Sequence, residues 1–287
     1  MQMNLFNWFV KIKRYLYEIK ICCKMGYRLR NKIALAVATL QFHISNGTSF
    51  SMLATQASNS YQIKLGDEIL TMRLRKYSGD FFIFHEIFGD RCYQISDDLL
   101  KTADIVIDLG ANIGLTTIFF SQRFPQSRFI CVEPDMNNLR LLRENTLFLG
   151  SRVCIIEGSV SVDSGFTNFV ESRYSWGGKT EGAQLTRGRR VRSLTVNEIM
   201  EMGNTNVVDV LKIDIEGTEA AIFKNKPTWL EKVRVIIIEL HGDYSEQLFE
   251  ADLGELFFVL PHHKVGNRMT LALSRKHFTS AKFMNCH

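Results

Sequence analysis

The second half of the chain alternates short apolar runs with stretches of helical periodicity. The strand-like runs are rich in valine, isoleucine and leucine and cover residues 104–109, 128–133, 152–157, 207–213 and 233–240. Helical patterns at 115–123 and 135–149 separate the first three of these runs. Apolar strands that alternate with helices predict an α/β fold, in which a parallel sheet is covered on both faces.

Local signals predict where several of these elements begin and end. Thr195 to Glu198, with the sequence TVNE, form a capping box that opens a short helix ahead of the fourth strand. Pro134 and Gly150 lie near the two ends of the second helical stretch. After the fifth strand, ELFFVLPHHKVGNRMTLALSR predicts two strands joined by a polar turn. We therefore expect a C-terminal antiparallel hairpin added to five parallel strands.

Two smaller segments are predicted ahead of the main domain, which we place at 80–287. Residues 1–44 interleave aromatic and aliphatic side chains with bases at helical spacing. This pattern predicts an N-terminal prefix whose helical part extends to about residue 41. Residues 45–79 begin as a polar linker and continue from Tyr61 as short antiparallel strands that lead into a helical turn.

The net charge of +5 is concentrated in the prefix. Between Lys11 and Lys32 there are eight lysines and arginines against one acid, Glu18, so the rest of the chain is close to neutral. Charge therefore does not suggest nucleic-acid binding by the main domain. Residues 1–32 either pack on the main domain or contact an anionic membrane peripherally, with aromatic side chains inserted. Those aromatic side chains are Trp8, Phe9, Tyr15 and Tyr17.

Composition narrows the class of protein and its compartment. A chain of 287 residues with 46% hydrophobic content is long enough to bury a full core. No apolar run approaches the roughly 18 to 20 residues of a membrane span, and the N-terminus lacks a signal-peptide layout. The six cysteines include no Cys-x-x-Cys motif. We expect a cytoplasmic protein without structural zinc, which contacts a membrane at most at its surface.

The end of the first strand carries the clearest binding motif, D-x-G-x-N-x-G, at Asp108, Gly110, Asn112 and Gly114. In an open parallel sheet, ligands bind at the carboxyl ends of the strands. The G-x-G-x-x-G motif of dinucleotide-binding loops would require three glycines, and here only Gly110 is present. Asp108 would also repel a pyrophosphate and attract a cation. Glu133, at the end of the next strand, has the usual position of a carboxylate that binds ribose hydroxyls. A cation that contains adenosine would interact favourably with both Asp108 and Glu133.

The motifs VIDLGANIGLTTIFF, CVEPDMNNLRLLRENT and VLKIDIEGTEAAIF resemble the FkbM family of S-adenosylmethionine-dependent methyltransferases, within the class I Rossmann-like group. The resemblance implies S-adenosyl-L-methionine as the cofactor. It implies that Gly110, Asn112 and Gly114 line its methionine end and that Glu133 holds its ribose. Asp108 is expected near the methionine ammonium or sulfonium, or else as a cap of the loop. By the same resemblance, Gly158 and Ser159 contact the adenine.

Acidic residues crowd the ends of the fourth and fifth strands. Asp214, Glu216 and Glu219 surround Gly217, and Glu239 and His241 share one side of the fifth strand. Such crowding is costly unless the groups share protons, bind a cation or face solvent. Asp214 or Glu239 is a candidate general base, with His241 as an alternative. The same groups, Asp214, Glu216, Glu239 and His241, are candidate ligands of a divalent metal that would activate an acceptor hydroxyl.

Two of these acids also have a simpler explanation. Glu216 and Glu219 lie where a helix begins, and acids stabilise a helix N-terminus by about 0.3 to 1 kcal/mol.

The segment after the third strand contains candidate acceptor contacts. Tyr174, Trp176, Gly177 and Gly178 are candidates for a flap over the acceptor, or for a loop without ligand contact. Several arginines follow, and they either meet an anionic acceptor or protect an edge strand from aggregation. These arginines are Arg187, Arg189, Arg190 and Arg192. His262 and His263 form a pair in a turn and do not suggest a metal site.

These patterns predict a methyltransferase that modifies an oxygen of a sugar, a glycan or another polyhydroxylated acceptor; the choice of oxygen is implied by the resemblance. N-methylation of a small molecule remains an alternative, as does a cofactor-binding or membrane-associated protein without turnover. The missing glycines argue against a dehydrogenase. The oligomeric state is not predicted.

Overall fold

A computed structural model describes residues 5–45, 57–170, 179–181, 188–261 and 269–279. The chain divides into two compact units. The first is Met1–Arg91, and the second comprises Cys92–Ser172 and Trp176–His287.

The first unit contains a helical pair and a β-hairpin. Its elements are α1 (Leu5–Met25), α2 (Leu29–Ser45), β1 (Ser58–Leu65), β2 (Glu68–Arg75) and α3 (Asp80–Phe84), followed by a π-helical turn at His85–Asp90. The predicted helical prefix is therefore two helices that are separated at Gly26. A side chain at Gly26 would place its Cβ 2.7 Å from the backbone nitrogen of Lys32, so the tight turn requires glycine. In the part of the chain that the structure describes, no helix is long and apolar enough to cross a membrane.

The second unit is built on a seven-stranded sheet. Its helices are α4 (Leu115–Arg123), α5 (Met136–Asn145), α6 (Val196–Met202), α7 (Glu219–Phe223) and α8 (Glu246–Leu253). Its strands are β3 (Ile105–Leu109), β4 (Arg128–Glu133), β5 (Val153–Glu157), β6 (Ser159–Val160), β7 (Gly165–Val170), β8 (Lys179–Glu181), β9 (Arg189–Leu194), β10 (Val208–Ile213), β11 (Val233–Glu239), β12 (Phe257–Pro261) and β13 (Met269–Ser274). Short 3-10 turns occupy Leu147–Arg152, Thr228–Lys232 and Gly254–Leu256.

The order of strands across the large sheet is β12-β13-β11-β10-β3-β4-β5. The five strands from β11 to β5 are parallel, and β13 is antiparallel to both of its neighbours. This arrangement confirms the predicted α/β sheet with its C-terminal antiparallel hairpin. The chain order reverses between β3 and β10, and this reversal is where a ligand crevice is expected in such sheets.

An acidic side chain holds the amino ends of three central strands together. Asp209 on β10 accepts hydrogen bonds from the backbone nitrogens of Asp104 and Ile105, at 2.8 and 2.9 Å. Its second oxygen lies 2.6 Å from an Nη1 of Arg234 on β11. These contacts fix strands β3, β10 and β11 in register, so their carboxyl ends meet at one edge.

A second sheet, which the sequence did not predict, has the order β6-β9-β7-β8. Strand β9 pairs with β7 from Arg189 to Ser193, but with β6 only at Ser193 and Leu194. Within the described residues, the stretch that carries the arginines is therefore paired on one side only, as the edge-strand interpretation expects. Arg189 forms an ion pair with Glu157 at 2.8 Å, and Arg192 lies 3.6 Å from Glu198. The guanidinium of Arg190 stacks over the ring of Phe166 at 4.1 Å. Arg187 lies outside the described residues.

Candidate active site

The loop after β3 turns sharply and bonds back to β4. The backbone nitrogens of Gly110 and Ala111 both donate to the carbonyl of Val132, at 3.0 and 2.9 Å. Gly110, Asn112 and Gly114 have positive φ values of 75°, 50° and 86°. A Cβ at Gly110 would lie only 1.8 Å from the carbonyl oxygen of Asp214. Glycine is therefore required at position 110, because the loops after β3 and β10 approach each other there.

Glu133 ends β4 as a buried carboxylate that accepts several hydrogen bonds. Its Oε2 accepts from the backbone nitrogen of Asn112 at 2.8 Å. Its Oε1 accepts from the backbone nitrogen of Asp135 at 2.9 Å and from the amide of Asn138 at 3.2 Å. A carboxylate can accept about four hydrogen bonds, so these three protein donors leave capacity for a ligand.

The buried environment of Glu133 changes its protonation. Burial raises its pKa to about 7, and the negative charge of Asp135 adds to the rise. The hydrogen bonds from Asp135, Asn112 and Asn138 oppose the rise but do not cancel it. Ribose hydroxyls that donate to this carboxylate would favour its charged form and so would lower the pKa again.

Asp108 is paired inside the sheet. It is fully buried, its Oδ2 accepts from the hydroxyl of Thr117 at 2.8 Å, and its Oδ1 lies 3.0 Å from Nζ of Lys212 on β10. Lys212 also donates to the carbonyl of Gly110 at 2.7 Å. Burial lowers the pKa of Lys212, but the charges of Asp108 and Asp214 outweigh it and hold the pKa above its ordinary value. Both oxygens of Asp108 are thus engaged by protein groups.

Lys212 was not predicted as a site residue. It is 2% exposed and sits beside Asp108 in the parallel register of β10 and β3. The sequence did contain a signal for this pair. Asp108 and Lys212 each interrupt an apolar run, and the two runs are the neighbouring strands β3 and β10.

Gly158 and Ser159 follow β5 and lead into the second sheet. The backbone nitrogen of Gly158 donates to the carbonyl of Glu133 at 3.2 Å, and a Cβ there would lie 2.8 Å from Cδ1 of Leu194. The hydroxyl of Ser159 donates to the carbonyl of Arg192 at 3.3 Å. The backbone of this segment is therefore held beside the end of β4, where Glu133 lies.

The predicted acidic constellation converges on one imidazole, at the ends of β10 and β11. Nε2 of His241 lies 3.8 Å from Asp214, 3.8 Å from Glu216 and 3.9 Å from Glu239. Nδ1 of the same ring lies 2.7 Å from Oε1 of Glu219. Four carboxylates thus surround one cationic or proton-sharing group.

Glu219 has a different role from that of an exposed helix-start acid. It is 1% exposed, and its oxygens accept from the backbone nitrogens of Ile215 and Gly217, at 3.3 and 2.9 Å. Together with the bond to His241, these contacts tie the loop after β10 to the segment after β11. The sequence did not reveal this role, because it depends on a partner 22 residues further along the chain.

The carboxylates determine the protonation of His241. Burial lowers its pKa, but the hydrogen bond to Glu219 and the charges of Asp214, Glu219 and Glu216 outweigh burial and raise the pKa to about 9. At neutral pH the ring therefore carries a positive charge. A proton or a cation at this point offsets the repulsion between the surrounding carboxylates.

Tyr93 is a further residue that the sequence did not single out. It is buried, and its hydroxyl donates to Oδ2 of Asp214 at 3.2 Å. Burial, together with the charge of Asp214, holds its pKa well above the ordinary value, so it remains a donor. This bond fixes one oxygen of Asp214.

The donor set also fits a divalent cation. One ligand atom each from Asp214, Glu216 and His241 lie within 4.8 Å of one another. Two carboxylates and an imidazole are ligands that several divalent metals accept. The candidate flap, Tyr174, Trp176, Gly177 and Gly178, lies outside the described residues, as do His262 and His263.

The strand order, with two groups of loops at the β3/β10 reversal, is that of the class I methyltransferase fold. Residues 108–269 match the family model described as the methyltransferase FkbM domain, which is more than half of the chain. The chain therefore belongs to the FkbM methyltransferase family.

Two methyltransferases are similar in sequence to parts of the chain. The hexuronic acid methyltransferase AglP of Haloferax volcanii is 26% identical over 159 residues, which are 52% of this chain and 63% of AglP. The 31-O-demethyl-FK506 methyltransferase FkbM of Streptomyces tacrolimicus is 26% identical over 215 residues, which are 63% of this chain and 80% of that protein. The match thus spans less than two thirds of the length of AglP.

A crystal structure of methyltransferase FkbM from Methylobacillus flagellatus is 14% identical, with a TM-score of 0.46. The alignment covers 93% of this chain and 60% of the chain in the crystal structure.

Proposed function

We propose that this protein transfers a methyl group from S-adenosyl-L-methionine to an oxygen of a sugar or another polyhydroxylated acceptor. The observation that carries the proposal is the position of Glu133. This buried carboxylate with spare acceptor capacity ends the strand next to the β3/β10 reversal, and the acidic cluster of Asp214 and His241 lies across that reversal. Bound S-adenosyl-L-methionine would supply an electrophilic methyl group on a sulfonium.

The residues at the reversal fit this cofactor. Glu133 would accept hydrogen bonds from the ribose hydroxyls, and Gly110, Asn112 and Gly114 would line the methionine end. Gly158 and Ser159 would border the adenine. Asp108, through its ion pair with Lys212, would act by holding the loop after β3 in shape.

The proton of the acceptor hydroxyl would pass to a carboxylate, Asp214 or Glu239. His241 already holds a second proton at neutral pH, because its pKa is about 9. This protonation favours a carboxylate over the imidazole as the base. We assign His241 to offset the repulsion between these carboxylates, and Glu219 to position the ring through Nδ1.

A divalent cation held by Asp214, Glu216 and His241 is a second way to activate the acceptor. The close approach of their ligand atoms supports it. Such a cation would have to displace a proton from His241, so its affinity should rise with pH up to about 9.

The proposed acceptor rests on the named relatives. AglP is named for methylation of a hexuronic acid, and the Streptomyces protein for a methyl group on an oxygen of FK506. The first name gives a sugar acid as the acceptor, and the second gives an oxygen as the methylated atom.

Two variants test the assignment of the base. Asp214→Asn and Glu239→Gln should each retain binding of S-adenosylhomocysteine in calorimetry, and the variant that lacks the base should lose at least about 100-fold in methyl transfer from labelled cofactor to uronic acid oligosaccharides. Asp243→Asn changes an exposed acid of the neighbouring loop and is the matched control. Full activity in both test variants would refute a carboxylate base. Loss of activity on EDTA treatment, with recovery on adding Mg²⁺ or Mn²⁺, would instead favour the cation.

A further inference from the structure

The second helix of the first unit has two opposite apolar faces. Leu35, Ala38, Thr39 and Phe42 are buried in the unit. On the other side lies an apolar stripe, defined as Leu29, Ile33, Val37, Leu40 and Ile44, whose side chains are 72%, 55%, 47%, 40% and 65% exposed. At 3.6 residues per turn the stripe occupies an arc of about 80° and runs for about 22 Å along the helix. A helix that is apolar on two sides is expected to be covered on both.

The surface around the stripe is cationic. Helix α2 contains Arg30 and Lys32 and no acid. The only acid between Lys11 and Ser45 is Glu18, which is 2% exposed and is paired with Arg14 at 2.8 Å and His43 at 2.5 Å. The exposed bases of this helical pair are therefore not balanced by any exposed acid of the same segment.

A cavity of about 700 Å³ opens beside the stripe. It lies between α2 and β1, and Val37 of the stripe forms part of its wall. Arg28, Arg30 and Lys76 also line it. Within the described part of the chain, none of these three bases forms an ion pair with a carboxylate. We refer to it as the basic cavity.

We propose that the apolar stripe and the basic cavity together dock this protein on an anionic lipid bilayer. The stripe would lie among the acyl chains at the interface, and the basic cavity would receive an anionic phosphate headgroup. Charge favours this occupant over a second copy of the chain, because two copies paired through α2 would bring two acid-free, cationic faces together. The proposal is independent of the methyl-transfer reaction, and its test requires no turnover.

The test is co-sedimentation of the full-length protein with vesicles. One set is pure phosphatidylcholine, and the other is equimolar phosphatidylcholine and phosphatidylglycerol. We expect binding to the anionic vesicles only, and weaker binding as salt is raised. Ile33→Ser combined with Leu40→Ser should weaken binding at least tenfold, because two apolar side chains no longer enter the interface. Leu147→Ser combined with Val207→Ser removes two comparably exposed apolar side chains of the second unit, and this control should bind normally.

Charge variants test the basic cavity separately. Arg30→Gln and Lys76→Gln should each weaken binding to anionic vesicles about fivefold. Lys101→Gln and Lys224→Gln, at exposed positions of the second unit, are the matched controls. Arg30 and both control positions are exposed and Lys76 is half-buried. Circular dichroism should show unchanged folding for all four variants.

Two outcomes would overturn the proposal: no binding to anionic vesicles, and equal binding to pure phosphatidylcholine. If the wild-type protein does not bind vesicles but forms a concentration-dependent dimer in sedimentation velocity, and the Ile33→Ser, Leu40→Ser variant abolishes that dimer, a second copy of the chain is the partner of the stripe.

Discussion

The raised pKa of Glu133 should make the stability of the ligand-free protein depend on pH in a defined direction. Burial raises this pKa from 4.5 to about 7. Between these values the folded protein holds a proton that the unfolded chain has released, so the free energy of unfolding falls as pH rises through this window. Above pH 7 the loss is complete. At about 1.4 kcal/mol per pKa unit, the buried charge then costs about 3 kcal/mol.

Substitution of Glu133 by Gln removes the titration and isolates its contribution. The unfolding free energy of wild-type protein, minus that of Glu133→Gln, should fall by about 2 kcal/mol between about pH 5.5 and about pH 8.5. Urea denaturation, monitored by tryptophan fluorescence at several pH values, measures this difference. Glu231→Gln, at an exposed acid, is the matched control. A flat difference for Glu133→Gln would refute the buried, proton-holding carboxylate.

The same carboxylate should make cofactor affinity depend on pH. Ribose hydroxyls donate to the charged form, so affinity should fall by up to tenfold per pH unit below about 7 and should level off above it. Calorimetry with S-adenosylhomocysteine from about pH 5.5 to about pH 8.5 measures this dependence. Affinity that rises on acidification would contradict the proposed contact.

Further predictions concern the groups around the two loops. Lys212→Met should destabilise the fold by about 3 to 5 kcal/mol in urea denaturation, because Asp108 is left buried without its partner. Adding Asp108→Asn should recover most of that loss, and equal stability of the single and double variants would count against the pairing. Glu219→Gln should lower the pKa of His241 from about 9 toward its ordinary 6.5, and NMR titration of the ring measures this change. An unchanged pKa would show that the contact with Glu219 does not raise it. Gly110→Ala should abolish cofactor binding in calorimetry, because its Cβ meets the Asp214 carbonyl, and normal binding would show that the loops move apart freely.

The sequence predicted the large sheet closely because its strands are buried on both faces. Such strands are continuous apolar runs, and β4 begins and ends at the predicted residues, 128 and 133. The capping box at Thr195 is also confirmed, with both of its reciprocal hydrogen bonds present. These features depend on neighbouring residues, so a single sequence contains them.

Features that depend on distant partners were not predicted. Lys212 interrupts an apolar run, and its partner Asp108 lies 104 positions earlier in the chain. Only the fold shows that their strands, β10 and β3, are neighbours in the sheet. Glu219 has the sequence context of a helix start, yet it is buried and bonded to His241, which lies in the segment after β11. The break between α1 and α2 was missed because the residues on both sides of Gly26 continue the helical pattern.

The candidate site is intermediate between these cases. Asp214, Glu216, Glu239 and His241 were expected at one edge, because the carboxyl ends of adjacent parallel strands meet there, and the structure brings them together around His241. Their protonation could not be predicted from the sequence. The ordinary pKa of histidine suggested a base, whereas the surrounding carboxylates hold the ring protonated.

Isothermal calorimetry of the purified protein tests the central claim most directly. The ligands are S-adenosylmethionine, S-adenosylhomocysteine and NADH, and each titration is repeated with Glu133→Ala. Binding of the two methionine-derived ligands to wild-type protein, lost in Glu133→Ala and absent for NADH, is the predicted result. If neither methionine-derived ligand binds, or if Glu133→Ala binds them as tightly as wild-type protein, the loop after β3 and Glu133 do not form the cofactor site.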